Sequence, residues 1–149
     1  FLCKKIALFE AKALECVELR PEYELLLTMP GIGMVLGLTV MLETGDINRF
    51  AEVGNYTSYC RCVRAQHFSN GKKKGDGNRK NGNKYLSWAF VEAVHHAIRY
   101  CPTAKKWYQR KKEHRNGALA TKALASKWSK AAYFIMKLQQ PFDIGRVFG

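Results

Sequence analysis

Leu2, Ile6, Phe9, Ala13 and Cys16 recur at intervals of four and three residues, which places them on one stripe of a helix. Leu14 and Val17 widen the stripe, and Lys4, Lys5, Glu10, Glu15 and Glu18 fill the polar side. The spacing predicts a helix over residues 1–20, after which Pro21 ends it or starts the next one. So short a stripe fits the end of a coiled coil as well as a helix packed on a core. A short second helix is predicted over 22–28, a tight hairpin at Met29-Pro30-Gly31-Ile32-Gly33, and a third helix over 34–44 stopped by Gly45. Residues 47–54 read as a short helix or turn around Phe50. Residues 55–64 read as a short apolar-aromatic helix ending near Cys62.

The pattern then breaks. From Ser69 to Asn83 there is no apolar residue, but four Gly, four Asn and five Lys/Arg. Nothing in it can be buried, and a flexible basic loop is expected over 65–83. Helical spacing returns over 84–100, with Tyr85, Trp88, Ala89, Val91 and Ala93 among its apolar positions. Pro102-Thr103 breaks it, with Thr103 as a plausible N-cap. A strongly basic helix is predicted over 104–115, a turn at Asn116-Gly117, and a long helix over 118–138 carrying Leu119, Ala123, Trp128, Ala132, Ile135 and Leu138. The tail 139–149 reads as irregular. Period-two alternation is nearly absent, so the expected fold is all-α. It comprises a helix-hairpin-helix at about 22–44, the basic Gly/Asn/Lys loop and a C-terminal pair of basic helices. Residues 1–20 are expected to be the end of a coiled-coil-like linker and 21–149 one domain.

Length and composition narrow the class. A chain of 149 residues can bury one core. The longest apolar run, Ile32 to Leu42, is shorter than the roughly 18–20 residues of a membrane span. The chain begins Phe1-Leu2-Cys3 with no signal-peptide pattern and is expected to be an excised piece of something longer. Its five cysteines are odd in number and irregularly spaced, which argues against a disulfide framework. Cys60-Arg61-Cys62 lacks the second pair or nearby His that a zinc site needs, so no metal site is expected here.

Charge changes the picture most. The net charge is +13. Residues 1–60 carry five Lys/Arg against eight Asp/Glu, whereas residues 61–149 carry twenty against four, a net +16. A domain that tolerates such self-repulsion usually has a polyanion to offset it, nucleic acid before an anionic membrane surface. In the hairpin, Leu26 and Met29 form the apolar pair of the first helix, Gly31-Ile32-Gly33 the turn, Gly37 the small residue where two helices touch, and Val40-Met41 the closing apolar pair. Gly31 and Gly33 would let backbone approach a phosphate at the N-terminus of the second helix, a contact that ignores base identity. If the hairpin is only scaffold, a bulky residue at Gly33 is expected to unfold the domain.

Ser69 opens the polar loop. A serine that attacks a phosphodiester needs an exposed hydroxyl, cations on the phosphate oxygens and a proton acceptor. Lys72, Lys73, Lys74, Arg79 and Lys80 supply cations, and His67 is one conceivable acceptor. A solvated loop serine is the plainer reading. Lys84 follows the loop, and Lys105, Lys106, Arg110, Lys111, Lys112 and Arg115 crowd the next basic helix around Trp107 and Tyr108. Phosphate contacts from these would give steeply salt-dependent binding, with Trp107 read as core more readily than as a base-stacking platform.

The ordered set Pro30-Gly31-Ile32-Gly33, Glu43-Thr44-Gly45-Asp46-Ile47-Asn48-Arg49-Phe50, Ser69-Asn70-Gly71-Lys72 and Lys80-Asn81-Gly82-Asn83-Lys84-Tyr85-Leu86 resembles the C-terminal domain of the IS110, IS116 and IS902 type insertion-sequence transposases, the group that includes the Piv DNA invertase. The resemblance spans roughly residues 20–138. It implies a two-part enzyme. An N-terminal RNase-H-like domain, outside this chain, would hold divalent metal, expected to be Mg, on acidic residues. A coiled-coil segment follows, and the C-terminal domain supplies a serine nucleophile, here Ser69, that links covalently to DNA. The resemblance further implies DNA as partner, a structured guide RNA, a homo-oligomer in the full-length protein, no cofactor within this chain, no membrane association, and a place in the bacterial cytoplasm at the nucleoid. Two other readings stay open: a non-catalytic helix-hairpin-helix module that holds DNA or RNA by its phosphates, and an RNA-scaffold protein whose basic loop orders on binding.

Overall fold

The computed structural model describes residues 1–18, 20–63, 66–76 and 80–149. The side chains of residue 18 and residues 66–69 and 73–76 lie outside that description. Among the described residues the regular structure is helical apart from one β-hairpin. In order come α1 (Leu2–Glu18), α2 (Pro21–Leu26), α3 (Met34–Thr44), a 3-10 turn (Ile47–Arg49), α4 (Val53–Tyr59), β1 (Gln66–Ser69), β2 (Lys72–Asp76), α5 (Lys84–Tyr100), α6 (Pro102–His114), α7 (Gly117–Leu138) and α8 (Ile144–Phe148). The all-α expectation holds for the body. The expected loop is corrected: much of it is the antiparallel pair β1–β2. Three further readings move, the first being the helix expected over 55–64, which is α4 at Val53–Tyr59. Pro102 is the first residue of α6, where its missing N–H costs nothing, so Thr103 lies inside the helix instead of capping it. The expected irregular tail contains α8, capped by the Asp143 carboxylate accepting from the Gly145 N–H at 2.8 Å.

The long helix α7 is the spine. Asn116 caps it by accepting from the Leu119 N–H at 2.9 Å, and Gln139, at φ 55°, closes it in the left-handed region. α2, α4, α5 and α6 all pack on it. Its Trp128 is fully buried, and the indole N–H donates to the Pro30 carbonyl at 2.9 Å, tying the α2–α3 turn to the spine. Tyr133 donates to the Phe50 carbonyl at 3.2 Å and so fixes the 3-10 turn to the same helix. Thr44 and Tyr56 hydroxyls share a buried hydrogen bond of 2.8 Å. Burial holds the Tyr56 phenol well above its ordinary pKa. These bonds satisfy polar groups that would otherwise cost about 1–3 kcal/mol each when buried.

α1 departs from this pattern. Only its C-terminal end, at Val17, is buried, while Leu2, Ile6 and Phe9 of the apolar stripe are exposed. The stripe read from the sequence is real: Ala13 and Leu14 pack against the core, whereas its N-terminal part is left open among the described residues.

Candidate nucleic-acid interface

The hairpin that carries Ser69 is built on a local signal. Asn70 and Gly71 both adopt positive φ, 53° and 74°, between Ser69 and its cross-strand partner Lys72. Two central residues with positive φ make the mirror-image turn whose twist matches that of paired strands, and Asn-Gly is its preferred sequence. Ser69 is therefore the last residue of β1, next to the turn. Phe68 pairs with Lys73, and an irregularity separates it from His67, which pairs with Gly75.

The base of the hairpin is knit to the helical body by residues that sequence reasoning did not single out as functional. α4 ends in a left-handed closure. The Arg61 N–H donates to the Ser58 carbonyl at 3.0 Å and the Cys62 N–H to the Thr57 carbonyl at 3.0 Å. Glycine normally takes the position Arg61 occupies, at φ 56°. A non-glycine residue there costs about 1–2 kcal/mol, and the side chain has a use. Its guanidinium donates to the carbonyls of Lys80, Asn81 and Gly82, with Nε to Asn81 at 3.1 Å. The outgoing and returning chains are thereby clipped together. Gly82 passes so close to the end of α4 that a Cβ there would sit 2.5 Å from the Tyr59 carbonyl oxygen.

Asn83 then does three things. Its side-chain oxygen caps α5, accepting from the N–H groups of Tyr85 at 2.9 Å and Leu86 at 3.0 Å. Its amide donates to the Glu43 carboxylate at 2.6 Å and to the Tyr59 hydroxyl at 3.3 Å. Arg49 lies over the Phe50 and Tyr59 rings, 4.5 and 4.8 Å from their centroids, and donates through Nε to the Thr44 carbonyl at 3.0 Å. Hydrogen bonds from Asn83 and then Arg49 hold the Tyr59 phenol below its ordinary pKa. Two sequence blocks some forty residues apart, Glu43 to Phe50 and Lys80 to Leu86, thus meet at the hairpin base.

The other sequence-predicted residues fall into separate groups. Lys72, Lys80 and Lys84 are exposed around the hairpin and its base. Arg79 lies outside the described residues, as do the side chains of Ser69, Lys73, Lys74 and His67. Lys105, Lys106, Arg110, Lys111, Lys112 and Arg115 are exposed on or just after α6, whose Ala104 is buried. Trp107 is half-buried against Phe148, with ring centroids 6.0 Å apart, in keeping with the core reading.

The two hairpin glycines part company. Gly31, at φ 86°, is wedged against α5: a Cβ would collide with the Ala93 carbonyl oxygen and lie 2.9 Å from the Ala97 nitrogen. Gly33 is exposed at the start of α3 with open space around it. The expectation that bulk at Gly33 unfolds the domain is corrected, because the packing constraint sits at Gly31. Gly37 does lie where two helices touch, since a Cβ there would meet the Tyr23 and Leu27 side chains at 3.1 and 3.2 Å.

Among the described residues no cluster of three or more His, Cys, Asp or Glu could hold a metal ion. Among the described residues, too, no helix is long and apolar enough to cross a membrane. Cys60 and Cys62 are buried, which raises both thiol pKa values, that of Cys62 to about 11.

What these features define is a basic helical domain with a cationic hairpin clipped to it. The chain belongs to the transposase IS116/IS110/IS902 family, whose model matches residues 23–109. It is 31% identical over 133 residues to a mini-circle putative transposase for IS117 from Streptomyces coelicolor, covering 84% of this chain and 30% of that protein. It is 27% identical over 122 residues to the transposase for insertion sequence element IS1111A from Coxiella burnetii, covering 79% of this chain and 34% of the relative. The chain thus spans about a third of the length of these relatives.

Proposed function

We propose that this chain is the DNA-binding, nucleophile-bearing C-terminal part of a transposase that cleaves and rejoins DNA through Ser69. The observation that carries this reading is the position of Ser69. It stands at the end of β1, beside a tight turn and opposite Lys72, on a hairpin whose base is clipped by Arg61 and capped by Asn83. A nucleophile gains most from such fixed placement. In the proposed step the Ser69 Oγ, losing its proton to a base, attacks a DNA phosphorus. The bond from phosphorus to one bridging oxygen breaks, that oxygen leaves as a hydroxyl, and a phosphoserine ester remains. Attack by a second DNA hydroxyl reverses the exchange and frees the serine. Lys72, Lys73, Lys74, Arg79 and Lys80 neutralise phosphate charge on either side. Metal-binding carboxylates belong to a segment outside these 149 residues, so this chain alone is expected to bind nucleic acid without cutting it.

α2 and α3 serve as a helix-hairpin-helix. Gly33 leaves room for a phosphate at the first turn of α3, while Gly31 holds the turn against α5. The exposed cations of α6 extend the phosphate-facing surface, which accommodates DNA and a structured guide RNA in a homo-oligomeric assembly. The test is covalent trapping with the full-length protein, its nucleic acids and a divalent metal, resolved on a denaturing gel. A protein–DNA adduct that disappears in Ser69→Ala supports the reading. An adduct that persists moves the nucleophile elsewhere. Intact binding with no adduct leaves a non-catalytic module.

A further inference from the structure

The outward face of α5 carries a chemistry that neither the hairpin nor α6 uses. Tyr85, Trp88, Glu92, His95, His96, Arg99 and Tyr100 fall within one side of the helix at 100° per residue. The opposite side buries Leu86, Phe90, Ala93, Val94 and Ala97. Trp88 is 48% exposed, Tyr85 52% and Tyr100 79%. Among the described residues no aromatic ring stacks on any of the three, and Lys84 sits 5.0 Å above the Tyr85 ring. Large aromatic residues left open in a row mark a surface with a partner.

Charge says which partner. The face holds Arg99 against the single acid Glu92, is preceded by Lys84, and leads into the cationic α6. An acidic or apolar protein surface would satisfy the charge or the rings. An unpaired nucleotide strand satisfies both, offering phosphates to the cations and base planes to the rings. A duplex hides its base planes, so the rings have no use for it. The face begins two residues after Asn83, at the base of the hairpin that carries Ser69. From Tyr85 to Tyr100 it runs about 22 Å, room for several nucleotides.

We infer that this face of α5 is a stacking platform for single-stranded DNA, the strand left unpaired beside the cleavage point. The inference rests on the nucleic-acid reading of the hairpin and α6. The test uses the 149-residue chain and fluorescence anisotropy with three labelled probes: an oligothymidylate of about 15 nucleotides, an oligouridylate of the same length, and a duplex of the same length. Trp88→Ala and Tyr100→Ala are each expected to weaken oligothymidylate binding by about fivefold or more while changing duplex binding by less than about twofold. Trp88→Phe, which keeps a ring, is expected to retain most of the affinity. Circular dichroism melts confirm that each variant folds.

Equal losses on single strand and duplex, or no loss on either, would overturn the platform while wild-type binding leaves the nucleic-acid reading standing. Losses confined to oligouridylate would reassign the face to RNA and overturn the DNA assignment. Unchanged oligothymidylate binding with an altered sedimentation coefficient would make the face a protein interface. A wild-type chain that binds neither single strand nor duplex removes the platform together with the reading beneath it.

Discussion

Single residues in this domain are placed by contacts far along the chain, and substitutions should expose that. Gly31 faces the backbone of α5 at positive φ, so Gly31→Ala adds a clash with immovable atoms to a conformational penalty. The expected loss is roughly 2–5 kcal/mol, read as a fall in Tm. Gly33→Ala has open space and an ordinary φ of −102°, and should lose no more than about 1 kcal/mol, the cost of a poorer N-cap for α3. Equal effects would contradict the geometry. The thiols give a second residue-scale prediction. Cys3 and Cys16 are exposed and should react with a thiol reagent in the native state, whereas Cys60 and Cys62 should react only after unfolding. Because burial raises the Cys62 pKa to about 11 from an ordinary value of 9.0, the folded state prefers the neutral thiol. That contribution is complete below about pH 9 and declines as pH rises towards 11. Cys62→Ala should therefore flatten part of the fall in stability over that alkaline window, measured by denaturant titration. An unchanged alkaline slope would dismiss the thiol as its source.

At the scale of elements, the long helices were legible, whereas the hairpin and the short helix α8 were not. Apolar residues at helical spacing marked the helix near 84–100 and the one near 118–138 because each buries one stripe against the others. β1 and β2 carry no such alternation: Lys72, Lys73 and Lys74 are consecutive, and the two strands are joined by a tight turn at Asn70-Gly71. The Asn70-Gly71 pair was the available signal, masked by the polarity around it. The Arg61 clip and the Glu43–Asn83–Tyr59 cluster had no local signal, since they join residues about twenty and forty apart. Arg61 separates two effects that usually coincide. Arg61→Gly removes the guanidinium and also relieves a left-handed non-glycine residue, so stability should change by less than about 1 kcal/mol. The hairpin base nevertheless loses the donor that holds Lys80, Asn81 and Gly82. Amide hydrogen exchange at residues 66–76 and 80–83 should speed up in Arg61→Gly, with Tm nearly unchanged. Slow exchange in a stable variant would show that β-pairing and the Asn83 cap suffice without the clip.

Over the whole molecule, stability and charge are distributed differently from the family match. The match ends at residue 109, inside α6, yet the spine is α7, which buries Leu124, Trp128, Ala132, Ile135 and Met136 against elements within the matched region. A chain truncated before Gly117 would leave those faces uncovered and should lose its cooperative thermal transition. Charge runs the other way from stability, since the cations of α6 stand exposed, as do Lys72, Lys80 and Lys84 at the hairpin and its base. If they meet phosphates, binding must release counterions, and the logarithm of the association constant must fall linearly with the logarithm of salt concentration. Each phosphate contact contributes about −0.9 to that slope on duplex DNA. Neutralising Lys105, Lys106 and Arg110 together should make the slope shallower by up to about three such increments and weaken all duplex sequences alike. These side chains are exposed, so the melting temperature should stay nearly constant. Because neutral substitutions also lower self-repulsion, a variant that binds less tightly yet melts slightly higher would be the clearest sign that this charge serves a polyanion. A slope unchanged by the triple substitution would remove α6 from the interface and leave the hairpin and α3 as its phosphate contacts.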